Sequence, residues 1–149
     1  MDLPLLFDVG CQAYPPAYVS LETALSWYEL VPETVHAITL VGTRTTRTSA
    51  TEAATFVWRT VKPCRWFGYR VVEYGRRRQF LIAEAEKAVL DYLYLHPSLR
   101  TKGDMLSIRL DGAAFATLDH DRLKQWAVRF KHARLTRQVN VLEEAMHNA

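Results

Sequence analysis

Apolar residues recur along this chain with two different periods, and the changes of period divide it. Leu21, Ala24, Leu25 and Tyr28 are spaced i, i+3, i+4, i+7, the stripe of a helix with one buried face. Ser20 stands before it as an N-cap, Glu22 suits the positive end of the helix dipole, and Pro32 ends the segment. The period then falls to two. Ala37–Val41 is a short run with β-branched residues that closes at Gly42, and Thr55–Val61 alternates. Tyr69–Tyr74 and Gln79–Ile82 flank Gly75-Arg76, a pair that predicts a tight type II′ hairpin. Helical spacing returns over Glu84–Leu95, with Ala85, Ala88, Val89, Tyr92 and Leu93 on one face and Pro97 as the stop. A short segment at Met105–Leu110 favours helix. Asp119 caps a helix carrying Leu123, Trp126, Ala127 and Phe130, and a last helix carries Leu135, Val139, Leu142 and Met146. Residues 1–16, with Pro4 and Pro15-Pro16, read as an extended lead-in. The order predicts one α+β domain over residues 1–149. It has an N-terminal helix, an antiparallel sheet of three to five strands, and then three to four helices packed against the sheet.

Composition narrows the class without changing that picture. The chain has 149 residues, 49% apolar and 23% charged, which fits a globular domain and excludes disorder over most of its length. Its two cysteines, Cys11 and Cys64, lie in no CxxC or Cys/His cluster. They read as small buried hydrophobes in a reducing cytoplasm, and no zinc site is expected. No apolar run approaches the roughly 20 residues that span a bilayer, and Met1-Asp2-Leu3-Pro4 lacks the basic region of a signal peptide. A cytoplasmic chain with no membrane partner is the expectation.

Charge changes the picture more. The net charge of +3 conceals a segregation. Residues 1–43 carry five acids and no Lys or Arg, whereas residues 44–78 carry nine bases and two acids. Arg122 to Arg137 adds six bases and no acid. Segregated charge says something about partners. Arg44 and Arg47 lie in the Thr-rich segment 43–51, which reads as a mobile loop or hairpin tip, and Arg76, Arg77 and Arg78 lie at the other hairpin. With Arg129, Lys131, Arg134 and Arg137 they are the candidate contacts to nucleic acid or to an acidic protein partner. The plain alternative is a set of solvated turns and a solvated helix face. Trp58, Trp66, Phe67 and Tyr69 lie among these bases. That interleaving suits base stacking on single-stranded nucleic acid, although sheet core is the commoner use.

Catalytic chemistry is not suggested. None of His36, His96, His120, His132 and His147 pairs with another His or Cys at metal-ligand spacing. His120-Asp121 are neighbours at a helix start and do not face each other. GxSxG, HExxH and a Gly-rich phosphate loop do not occur. Glu86 and Asp91 diverge on their helix, where Glu86-Lys87 help to fix its start and Asp91 caps a neighbouring loop. No catalytic residue, metal or cofactor is expected.

Three stretches together resemble the AbiEi-type antitoxin family of type IV toxin–antitoxin and phage-abortive systems. They are AYVSLETALSWYELVPE over residues 17–33, Trp66-Phe67-Gly68-Tyr69, and IAEAEKAVLD over residues 82–91. Order and spacing agree from about Tyr14 to Lys131. Glu29 stands where many members have Gly, and Ala85 where many have Pro. The resemblance implies the C-terminal antitoxin domain, which counteracts a nucleotidyltransferase-like toxin and aids autorepression. Members carry an N-terminal winged helix that binds the promoter, and the residues before Tyr18 leave no room for one. The expectation is therefore an antitoxin domain whose partner is that toxin, reached directly or indirectly. The alternative is a nucleic-acid-binding regulator that meets operator DNA through its basic surface.

Overall fold

The computed structural model describes residues 2–32 and 36–147. Glu33, the last residue of the first family-like stretch, lies outside them. The fold is α+β, with seven α-helices and one six-stranded mixed sheet among the described residues. The strands are β1 (Ala17–Val19), β2 (Ile38–Gly42), β3 (Arg47–Ala50), β4 (Thr55–Thr60), β5 (Tyr69–Tyr74) and β6 (Arg78–Ala83), in the spatial order β3-β4-β2-β1-β6-β5. The helices are α1 (Leu3–Ala13), α2 (Leu21–Trp27), α3 (Ala85–Tyr94), α4 (Lys102–Ser107), α5 (Gly112–Ala116), α6 (His120–Arg129) and α7 (Ala133–His147).

Several expectations need correction. Residues 1–16 are not an extended lead-in, because Leu3–Ala13 is helical. Pro4 stands in the first turn, where its missing N–H has no partner to lose, and Asp2 accepts from Leu5 N at 3.2 Å as the cap. The sheet is not purely antiparallel. β1 runs parallel to β6, and β2 runs parallel to β4. Ala17–Val19, read only as the approach to a helix, is the central strand. Its three residues are all buried, so they carry no alternation to betray it. Part of the Thr-rich segment is strand β3, an exposed polar edge strand paired to β4 from Arg47↔Trp58 to Ala50↔Thr55. The β5–β6 turn has three residues, Gly75-Arg76-Arg77, with Gly75 and Arg77 at φ of 58° and 57°. After the sheet come five helices in place of three to four; the short α5, capped by Asp111, has too few residues to show a period.

Helix α1 covers one face of the sheet. Phe7 meets Phe80 edge-on, and Trp58 Nε1 donates to Gly10 O at 3.1 Å. The other face carries Tyr18 and Val41 and receives α3 through Tyr18 and α6 through Phe67, with α7 packed behind on α3, α4 and α6. Trp58 and Phe67 are buried core, whereas Trp66 is half-buried and Tyr69 is exposed. The cysteines are free. Cys11 is half-buried with its thiol pushed up to about 11 by burial, whereas Cys64 is exposed, contrary to expectation.

Glu29 has φ of 59° directly after α2. Glu29 N donates to Ser26 O at 3.0 Å and Leu30 N to Leu25 O at 2.8 Å. These are the two bonds of a Schellman ending, with a glutamate in the left-handed position that favours glycine.

Candidate functional site

Two regions hold the residues singled out by sequence, and they are built on opposite principles. In the first, the three family-like stretches meet. Tyr18 comes from β1, Ser20 from the start of α2, and Lys87 and Asp91 sit one turn apart on α3; all four are buried to the last few square ångströms. Lys87 Nζ donates to Tyr18 OH at 2.7 Å, to Arg65 O at 2.8 Å and to Asp91 Oδ1 at 2.9 Å. Tyr18 OH and Ser20 Oγ each donate to Asp91 Oδ2 at 2.8 Å. All three ammonium protons and both carboxylate oxygens are therefore used.

Ring faces close the knot. Lys87 Nζ lies 4.5 Å from the Phe67 centroid, 5.0 Å from that of Phe130 and 5.2 Å from that of Tyr18. Gly68 has φ of 77°, and a Cβ there would stand 2.9 Å from Lys87 Cγ. The glycine between the aromatics is thus required twice, for its backbone and for the lysine stem beside it. Burial lowers the Lys87 pKa against the raising effect of Asp91, and burial followed by Asp91 pushes the Tyr18 phenol well up. Two expectations change here. Ser20 makes no side-chain capping bond, and Asp91 caps no loop; both hydroxyl and carboxylate are turned inward to the knot. Glu86 does help to fix a helix start, but that of α6: Asp119 N donates to its Oε2 at 3.1 Å and Arg122 Nη2 to its Oε1 at 2.7 Å.

The second region is an end of the sheet. β2 stops at Gly42, which faces both Ala17 at the start of β1 and Thr60 at the end of β4. β3 starts there at Arg47, and β6, parallel to β1, starts there at Arg78. The 43–46 loop, the exit of β4 and the 75–77 turn therefore leave the same end. The C-terminus of α3 joins them. Arg59 Nη2 donates to Leu95 O at 3.5 Å, and Arg134 donates to Leu93 O at 3.4 Å and Tyr94 O at 3.1 Å. Arg44, Arg47, Arg76, Arg77 and Arg78 lie at this pole by register, and Arg129, Lys131, Arg134 and Arg137 lie in and around the α6–α7 junction, which Arg65 and Arg134 tie to it.

They are not equivalent. Arg44 and Arg47 flank the Tyr14 ring at 4.3 and 5.0 Å, and Arg129 lies 3.8 Å over Phe67. Arg134 is a structural clamp on the end of α3, and buried Arg65 donates to Phe130 O at 3.0 Å and Tyr94 OH at 2.9 Å. Arg76, Arg77, Arg78, Lys131 and Arg137 are exposed. The two outer lobes stand at opposite sheet edges, five strand spacings or ~24 Å apart. His132 sits among these cations, and burial, then Arg134, Arg65, Arg137 and Lys62, lower its pKa. Five carboxylates lie at the helix ends away from it: Glu84 and Glu86 at the start of α3, Asp119 and Asp121 at the start of α6, and Glu143 near the end of α7. There His120 Nδ1 lies 2.7 Å from Glu143 Oε1, which raises the His120 pKa.

No family model, no curated protein and no solved structure matches the chain. Among the described residues, no group of three His, Cys, Asp or Glu is placed to hold a metal ion, and no helix is long and apolar enough to cross a membrane.

Proposed function

We propose that this chain is an antitoxin domain of the AbiEi type that counteracts a nucleotidyltransferase-like toxin by binding and not by turnover. One observation carries the reading. The three stretches that resemble the family meet in one knot, Tyr18 and Ser20 from the first, Phe67 and Gly68 from the second, and Lys87 and Asp91 from the third. Chance similarity in three separate segments has no reason to converge on one mutually satisfied buried cluster. Residues that must fit each other at this density form a fold signature, which is the kind of likeness a shared domain leaves. The sealed knot supplies stability, so the work of the domain falls to its surface. The test is co-expression with the neighbouring gene product. Relief of growth arrest supports the reading, and arrest that persists while the chain is folded and abundant overturns it.

A second reading has its own observation. The basic pole gathers the candidate arginines of two distant sequence segments at one end of the sheet, which favours a nucleic-acid regulator. Its affinity for a DNA duplex falls with salt, by a slope of about 0.9 per phosphate contact. Arg76, Arg77 and Arg78 to Gln together lower that slope. A slope left unchanged by the triple variant removes this reading.

A further inference from the structure

The cleft between α7 and the α3–α4 connection joins two of the candidate bases, Arg134 and Arg137, to Arg100, which is not among them. It encloses about 320 Å³ between Arg100, Arg134, Arg137, Gln138 and Val141. Three guanidinium groups and no carboxylate line it. Arg134 is fixed from behind by Leu93 O, Tyr94 O and Gln138 Oε1, the last at 2.8 Å. Gln138 is itself buried and donates to Leu99 O at 2.9 Å and His96 O at 3.1 Å. This back wall stays in place whether or not anything is bound. Arg137 and Arg100 are the exposed arms in front of it.

The other charged groups nearby are turned to partners outside the cleft. Asp104 Oδ2 is turned to the backbone N–H groups of Arg100 and Thr101 at 2.9 and 3.0 Å. Glu144 pairs with Lys102 at 3.7 Å. His96 Nδ1 is engaged with Tyr92 O at 2.7 Å. A planar fork that cannot lose its proton is the side chain best suited to phosphate oxygens. The volume lies at the small end of ligand sites, fitting a phosphate or diphosphate group without a nucleoside.

We propose that this cleft is a phosphate-binding site that takes inorganic pyrophosphate or the terminal phosphates of a nucleotide. It does not rest on the antitoxin reading, nor on binding of a duplex by the rest of the basic pole. The test is calorimetric titration of the intact chain with pyrophosphate, in chloride buffer of constant ionic strength, beside titrations with sulfate, ATP and adenosine. Pyrophosphate is expected to bind at one site per chain and more tightly than sulfate. Arg100→Gln and Arg137→Gln should each weaken it about ten-fold, the loss of one charge-assisted contact, whereas Arg78→Gln leaves it unchanged. Both cleft arginines are exposed, so the variants should stay folded; circular dichroism checks this, and either folded variant alone decides. ATP that pyrophosphate displaces identifies a nucleotide as a further source of the same group. Pyrophosphate no tighter than sulfate overturns the proposal. So does equal weakening by Arg78→Gln, or ATP binding that pyrophosphate cannot displace.

Discussion

Lys87 and Arg78 are both cations on an apolar framework, and the molecule treats them in opposite ways. Lys87 is sealed among three rings with every proton assigned to an oxygen. Arg78 opens β6 at an exposed turn among other arginines. The difference teaches where to look for each property. In the knot, charge is a matter of fit, and removing one partner strands the other in a medium that cannot solvate it. At the exposed turns of the basic pole, charge stays in water, contributes little to the fold, and remains open to whatever comes near.

The sharpest way to break this contrast is Lys87→Met. Asp91 would keep its charge and two donors but lose its counter-ion, and stability should fall by about 3–5 kcal/mol. Urea unfolding measures it. A loss no larger than that of an ordinary surface substitution, about 0.5 kcal/mol, would mean that the knot is not the closed unit described.

Next comes a comparison within the pole. Arg65→Gln removes bonds to Phe130 O and Tyr94 OH from a buried site and should cost about 1–3 kcal/mol. Arg76, Arg77 and Arg78 to Gln together should leave unfolding within about 0.5 kcal/mol per residue. If the triple variant were the more damaging, the division into anchored and available arginines would fail.

Smaller effects come from the two histidines at opposite ends. His120 is held above its usual 6.5 by Glu143, so its stabilisation is fully present below pH 6.5 and is lost as pH rises through the raised value. His132 is held below 6.5 by burial and by the cations around it. The unfolded chain therefore binds that proton first, and stability is lost as pH falls below 6.5. His132→Gln should flatten the acid side of the stability profile, and His120→Gln the side just above pH 6.5. Unfolding midpoints between pH 5 and 8 decide between this and a single shared titration. The smallest effect is a gain: Glu29→Gly should add about 0.5–1 kcal/mol, since glycine takes the left-handed position without a Cβ.

Much of the framework was legible in the sequence, and the misses share a cause. Thr55–Thr60 announces itself by alternation, Tyr69–Tyr74 by its β-formers before the Gly75 turn, and Ala85–Tyr94 by helical spacing of its apolar residues, although that helix is buried on nearly every side. β1 is buried on both faces and three residues long, so it has no period to read. β3 is exposed on both faces and fails for the opposite reason. Pro4 suggests an extended lead-in, although one position into a helix it breaks nothing. The nine candidate bases could be named from charge alone, but only strand register brings the tips at 44–47 and 76–78 to one end. Arg100 gave no signal of its own, because its neighbours in the cleft come from a helix more than thirty residues downstream.

The central strand also dictates an order of assembly. Its contact with β6 is registered at Val19 and Ile82, with roughly sixty residues of chain between them, so closing it is entropically late compared with the β5–β6 hairpin. Tyr18 and Ser20 reach Asp91 across that same gap. The halves of the sheet are thus free to form as separate local units, and the buried lysine–aspartate pair acts as the latch that joins them once both exist.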